Sequence, residues 1–337
     1  MNRKYVLVGI ISVILVGSLG IGVYLSTSTP SSITLTKLGS IDTGGAAQFV
    51  KVVGDIAYVI DSNEDSPGGL VIIDVSDSAN PSKLSSWTDG GRPIELDVVG
   101  DFAYIADATE GLEIINVSDS SNPSELYQYD GSGEIYDVQV VGDIAYVADW
   151  NWGLIVLNVS NPASPELIDS KAITGACTHV HVEGNLAIAT DHRSEETGLM
   201  IYNVSDPTNL VLVGTYLPDE DLWNPILLDD IVYSGDHSPG GGSMLILNAS
   251  TPNDVQQISQ FDPEGSIFTI TVIDDVAYMA DYQLGLIIAD VSDSASPTQI
   301  GRFYDGGNSR DVCVVGDIIY IADGSDGLEI IQMSITG

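Results

Sequence analysis

Leu70-Val71-Ile72-Ile73-Asp74-Val75-Ser76 is an apolar run closed by an acid and, one residue later, a serine. The chain says it again as Leu112 to Ser118, Leu154 to Ser160, Leu199 to Ser205, Met244 to Ser250 and Leu286 to Ser292, and a last copy, Leu328 to Ser334, stops just short of the C-terminus. A run of this length, apolar at nearly every position and followed at once by turn residues, reads as a strand buried on both faces. The question is then how many such strands the chain builds, and at what period.

A second landmark sets the period. Gly54-Asp55, Gly100-Asp101, Gly142-Asp143, Gly184-Asn185, Asp229-Asp230, Asp274-Asp275 and Gly316-Asp317 lie 46, 42, 42, 45, 45 and 42 residues apart. From the Asp or Asn closing each apolar run (Asp74, Asn116, Asn158, Asn203, Asn248, Asp290) to the next landmark is 26 residues every time. All length variation therefore falls between a repeated Asp (Asp61, Asp107, Asp149, Asp191, Asp236, Asp281, Asp323) and the following apolar run. Seven strand-rich units of this size predict an all-β fold, a seven-bladed β-propeller with four strands, a to d, in each blade. Gly-Asp makes the a–b hairpin, because these residues tolerate the backbone angles of tight turns. Asp or Asn, then Ser, then Pro makes the c–d turn.

These repeats resemble the LVIVD-repeat family, named for the run seen here as Leu70-Val71-Ile72-Ile73-Asp74. The resemblance spans residues 33–337. It implies a β-propeller with an address at the prokaryotic cell surface, and it carries over no catalytic residue.

Residues 33–42 fall in the strand-d register, with Leu38 matching Leu84, Leu126, Ile168, Val213, Ile258 and Ile300. The last unit ends after strand c. The N-terminal strand is therefore expected to complete blade seven and leave no open seam. Before it, Tyr5 to Leu25 runs 21 residues without a charge, long enough to span a bilayer. Arg3 and Lys4 precede it, which predicts the N-terminus inside. We therefore expect residues 1–4 in the cytoplasm, a transmembrane signal-anchor over 5–25 in preference to a cleaved signal, a linker over 26–32 and an extracytoplasmic propeller over 33–337. In an up-and-down blade the a–b and c–d turns share one face, and the b–c and d–a loops share the other. Because the anchor enters strand d, the turn face should look at the membrane and the loop face away from it.

The formal net charge is −38, from 48 acidic and 10 basic residues. Such a surface repels nucleic acid and anionic lipid headgroups. It reads as a solubility adaptation, or more sharply as a surface for cations. Cys177 and Cys313 sit in units four and seven, too far apart in a ring for a disulfide.

Unrepeated residues are the better functional candidates. The four histidines, His179, His181, His192 and His237, all fall in units four and five. His179, His192 and His237, with Asp191 or Asp236, form a candidate donor set for zinc; isolated structural histidines are the competing reading. Trp150, Trp152 and Trp223, with Arg193, map to the loop face and suit contacts to a protein or glycan. Asp61 to Asp65 has part of a calcium-loop spacing but lacks its Gly and its closing Glu. The seven-fold Asp at the end of strand b reads as a turn cap, since a fold needs seven copies and a site does not. The expectation is a non-catalytic binding or adhesion module at the cell surface. Its alternatives are a metal-dependent hydrolase or lyase centred on units four and five, and a structural cell-envelope protein that binds divalent cations.

Overall fold

The computed structural model describes residues 32–63, 66–88, 90–129, 134–173, 175–192, 198–218, 221–236, 242–304 and 306–336. Seven antiparallel four-stranded sheets account for all its strands. The first strand, β1 (Ser32–Ile41), belongs to the last sheet. Blade one is β2 (Ala47–Val53), β3 (Ile56–Asn63), β4 (Ser66–Asp74) and β5 (Ser82–Trp87). Blade two is β6 (Pro93–Val99), β7 (Phe102–Asp107), β8 (Gly111–Asn116) and β9 (Ser124–Tyr129). Blade three is β10 (Ile135–Val141), β11 (Ile144–Asp149), β12 (Gly153–Asn158) and β13 (Glu166–Lys171). Blade four is β14 (Val180–Glu183), β15 (Leu186–Asp191), β16 (Gly198–Asn203) and β17 (Val211–Tyr216). Blade five is β18 (Leu222–Leu228), β19 (Ile231–Asp236), β20 (Met244–Asn248) and β21 (Gln256–Phe261). Blade six is β22 (Ile267–Ile273), β23 (Val276–Asp281), β24 (Gly285–Asp290) and β25 (Thr298–Phe303). Blade seven is β26 (Asp311–Val315), β27 (Ile318–Ala322), β28 (Leu328–Thr336) and, at its edge, β1.

The apolar runs form the third strand of each blade, and both of their faces are covered. In blade one, Ile60, Leu70 and Ile72 pack against Leu96, Ile105 and Ile115 of blade two. On the other face, Val59, Val71 and Ile73 pack against Tyr320, Leu328 and Ile330 of blade seven. Successive side chains of a strand point to opposite faces, so an apolar residue at every position serves two seams at once. Each such Ile or Leu, fully buried, stabilises the fold by about 1.5–3 kcal/mol.

The turns are built by the residues that mark them. Gly54, Gly100, Gly142, Gly184 and Gly316 open the a–b hairpins at φ between 58° and 62°. Where Asp replaces Gly, in Asp229-Asp230 and Asp274-Asp275, both residues take positive φ, so these hairpins use a type I′ geometry. At the c–d turn Asp74 Oδ1 accepts the backbone N–H of Ser76 at 2.9 Å, and Asn116, Asn158, Asn203, Asn248 and Asp290 do the same two residues on. The Asn-x-Ser pattern is thus a turn made by a side chain.

Every fourth strand carries a bulge at the same place. It falls at Leu84, Leu126, Ile168, Val213, Ile258 and Ile300, the residue skipped between Ile72/Ile73 and its counterparts. β1 carries it at Leu38, while Ile41 pairs with Leu328 and Leu35 with Met333. Leu38 and Ile41 pack on the cluster between blades seven and one. Among the described residues no helix is long and apolar enough to cross a membrane, and Tyr5 to Leu25 lies outside them.

Candidate functional site

The innermost strands line an axial channel, and their residues fall in rings counted back from the a–b turn. Three residues before the landmark stand Lys51, Asp97, Gln139, His181, Ile226, Thr271 and Cys313. Most of this ring bonds to the next blade. Lys51 pairs with Asp97 at 3.0 Å. Asp97 accepts the amide of Val140 at 2.9 Å. Gln139 bridges to Val182. His181 Nε2 meets the Leu227 carbonyl at 3.2 Å, and Thr271 donates to the Val312 carbonyl at 3.1 Å. These polar groups sew blade to blade. Burial lowers the His181 pKa to about 4, so its imidazole stays neutral and donates.

Five residues before the landmark stand Phe49, Glu95, Asp137, His179, Asn224, Thr269 and Asp311. Asp137 accepts the amide of Val180 at 2.7 Å and Asp311 that of Val50 at 2.8 Å, again across a seam. Burial pushes the Asp137 carboxyl up to about 7 and that of Asp311 up to about 6, against the pull of those amides. Glu95 is raised well above the carboxylate range by burial and by the charge of Asp137. Two carboxyls in contact cannot both ionise at low cost, so Glu95 keeps its proton and donates it to Asp137.

Six residues before the landmark stand Gln48, Ile94, Tyr136, Thr178, Trp223, Phe268 and Arg310. Gln48, Ile94, Tyr136 and Phe268 are the extra residues of bulges in β2, β6, β10 and β22. A bulge re-aims its side chain, and here it turns these residues into the mouth of the channel on the b–c loop face. That mouth is a cavity of about 590 Å³ whose wall includes Tyr136, His179, Trp223, Phe268, Arg92 and Arg310. Below it, past Glu95, Phe49, Asn224 and Thr269, lies a second chamber of about 410 Å³.

Aromatic rings are stacked around the mouth. Tyr136 lies on Trp150 with ring centres 4.8 Å apart, and Phe268 on Tyr282 at 5.3 Å. The Arg310 guanidinium sits over both Phe268 and Tyr282, 5.6 and 5.2 Å from their centres. Trp223 touches His179 and His192 edge-on at 4.7 and 4.8 Å. His192 Nδ1 lies 2.6 Å from the Asp221 carboxylate.

The structure thus brings His179, His192, Trp223 and Trp150 to the loop face. Trp152 is there too, half exposed beyond the rim. His179 and His192 stand 6.3 Å apart, ring centre to ring centre. Asp191 and Asp236 are buried at the ends of β15 and β19, in the register of the capping acids. Those acids do cap: Asp107 Oδ1 takes the amides of Thr109 and Glu110, Asp149 Oδ1 those of Asn151 and Trp152, and Asp281 Oδ1 those of Gln283 and Leu284. Among the described residues no three His, Cys, Asp or Glu lie close enough to hold a metal ion. His237 and Arg193 lie outside the described residues, as do Glu64 and Asp65 of the acidic loop. Cys177 and Cys313 are free thiols.

The site extends beyond blades three to five, which carry the tryptophans and histidines singled out from the sequence. Arg92 in blade two, Arg310 in blade seven and Phe268 in blade six belong to it. For Phe268 and Arg310 the signal was present in the repeat itself: lined up on Gly-Asp, the sixth position back varies freely in chemistry, from Ile94 to Trp223 to Arg310, which marks side chains the fold does not fix.

The LVIVD repeat model matches residues 44–89, 90–131, 132–171, 174–218, 264–305 and 306–334. Residues 219–263, which carry blade five and Trp223, fall between these matches. No curated protein matches the chain. Among solved structures, the chain is similar to a chain of the mitotic checkpoint complex at 10% identity and a TM-score of 0.71, over 88% of this chain and 93% of that one. It is similar to the computationally designed protein Ika8 at 10% identity and 0.64, over 88% and 99%. It is also similar to Sqt1 of Saccharomyces cerevisiae at 9% identity and 0.63, over 90% and 99%. At such identities these likenesses show the fold alone.

Proposed function

The chain belongs to the LVIVD-repeat family, and from that premise we propose that it is a non-catalytic binding module at the cell surface, tethered to the membrane by residues 5–25. Its ligand, a glycan or protein, enters the loop-face mouth. The observation that carries this reading is a division of labour along the channel. Deep in the channel most polar side chains are spent on seams between blades, whereas at the mouth Tyr136, Trp223, Phe268, Arg92 and Arg310 surround a cavity of about 590 Å³. A concave site with aromatic walls and a few polar groups is what small-ligand recognition uses. The tether is supported by the 21 uncharged residues behind Arg3 and Lys4. Because β1 would leave that tether in the register of a fourth strand, the turn face looks at the bilayer and the mouth looks out. The acidic balance of the chain disfavours nucleic acid as a partner.

Glycan and protein arrays probed with the full chain in detergent test the reading. Ligands that bind should be lost with Trp223→Ala, with the thermal midpoint held. Hits that bind the variant equally well would place recognition elsewhere.

A further inference from the structure

We infer that the mouth is built for a carboxylated sugar, a hexuronate unit, with its carboxylate on Arg92 and Arg310; this rests on the loop-face mouth being the binding site. The first ground is a local reversal of charge. The chain holds 48 acidic residues and 10 basic ones, yet the charged side chains around this cavity are Arg92, Arg310 and Glu95. Glu95 is held neutral by burial and by Asp137, so the wall of the cavity carries positive charge only. The acids just beneath, Asp137 and Asp311, face the Val180 and Val50 amides of the next blade, and burial pushes both carboxyls up toward the neutral form.

The second ground is that neither arginine is spent. Each of the ion pairs among the described residues is made by Lys37, Lys51, Lys171 or His192. Arg310 rests on Phe268 and Tyr282, and its Nε is buried without a hydrogen-bond partner. Guanidinium matches carboxylate geometry in a paired fashion that ammonium does not.

The third ground is the layout of the wall. Blades seven, one and two present Arg310, Gln48 and Arg92; blades three to six present Tyr136, His179, Trp223 and Phe268. One half is cationic and the other aromatic. Gln48 spends its Nε2 on the carbonyls of Ala46 and Ser62, at 3.2 and 2.9 Å, leaving its oxygen as an acceptor for a ligand hydroxyl. A ring with an apolar face, hydroxyls and one carboxylate meets all three demands.

Isothermal titration of the full chain in detergent with digalacturonate, galactose and benzoate tests this. Digalacturonate should bind, more weakly as salt rises, and galactose should not. Arg310→Gln and Arg92→Gln should each weaken it about tenfold or more, with the thermal midpoint held. Equal binding of galactose, no change in the Arg92→Gln and Arg310→Gln double variant, no binding of digalacturonate, or binding of benzoate alone would each overturn the assignment. Array ligands that need Trp223 but are neutral would leave the binding-module reading standing while this one fell.

Discussion

The Asp311 carboxylate of the last blade accepts the backbone N–H of Val50 in the first, at 2.8 Å, and so joins the two ends of the ring along the channel. Asp97 with Val140 and Asp137 with Val180 repeat the relationship two and three blades further on. Asp311→Ala leaves the Val50 amide without its partner inside the channel. We expect a loss of about 1–3 kcal/mol in denaturant unfolding, with Asp311→Asn, which keeps an acceptor oxygen, losing less. Equal losses for the two variants would mean that charge, and not the hydrogen bond, is what matters there.

Asp137 gives the fold a pH dependence of definite sign. Its carboxyl titrates near 7 in the folded chain, raised by burial, against about 3.9 unfolded. The folded state therefore holds more protons across that window. Its contribution to stability is full below about pH 4 and is lost as pH rises through about 7. The thermal midpoint should fall between pH 5 and pH 8, and Asp137→Asn should flatten the fall. Repulsion among the remaining acids has the same sign in both proteins, so the difference between the two curves is the quantity to read.

Gly91 and Gly307 are fixed by the capping acids beside them. A Cβ at Gly91 would run into the Asp107 carboxylate, and one at Gly307 into that of Asp323. Gly45 and Gly265 stand in the same relation to Asp61 and Asp281. Gly307→Ala should displace the cap and cost about 1–3 kcal/mol, typical of overpacking. Gly306→Ala makes a useful contrast, because there the cost comes from φ of 120° and not from a neighbour. Rescue of Gly307→Ala by Asp323→Ala, measured as a double-mutant cycle, would confirm the contact.

How much of this was legible in the residues follows from what each is for. The apolar runs, the Gly-Asp hairpins and the Asn-x-Ser turns answer to local backbone geometry, so they recur and can be read. Even the bulge position, Leu38 through Ile300, was aligned correctly by counting alone. The role of the repeated Asp followed from its repetition. What could not be counted was the meeting of residues from different blades. Arg92 and Arg310 are 218 positions apart and share a cavity only because the ring returns on itself. Trp223 was visible as an unrepeated aromatic, but its contact with His179 and His192 depends on how the strands of blades four and five pack on one another across their shared seam.

Ile41 tests the edge strand. It pairs with Leu328 and packs on the cluster between blades seven and one. Because it is only half buried, Ile41→Ala should cost about 1–2 kcal/mol, below the range for a fully buried Ile. Unchanged stability would mean that β1 does not serve as the fourth strand of blade seven.

The most direct test of the loop-face mouth as the binding site is quantitative binding of the tightest array ligand to the full chain and to the Trp223→Ala and Phe268→Ala variants, with thermal midpoints measured alongside. The account predicts loss of about tenfold or more in both variants, since aromatic anchors dominate such contacts, with neither midpoint moved enough to explain it. Undiminished affinity in both folded variants would contradict it and send the search for the ligand to the acidic turn face.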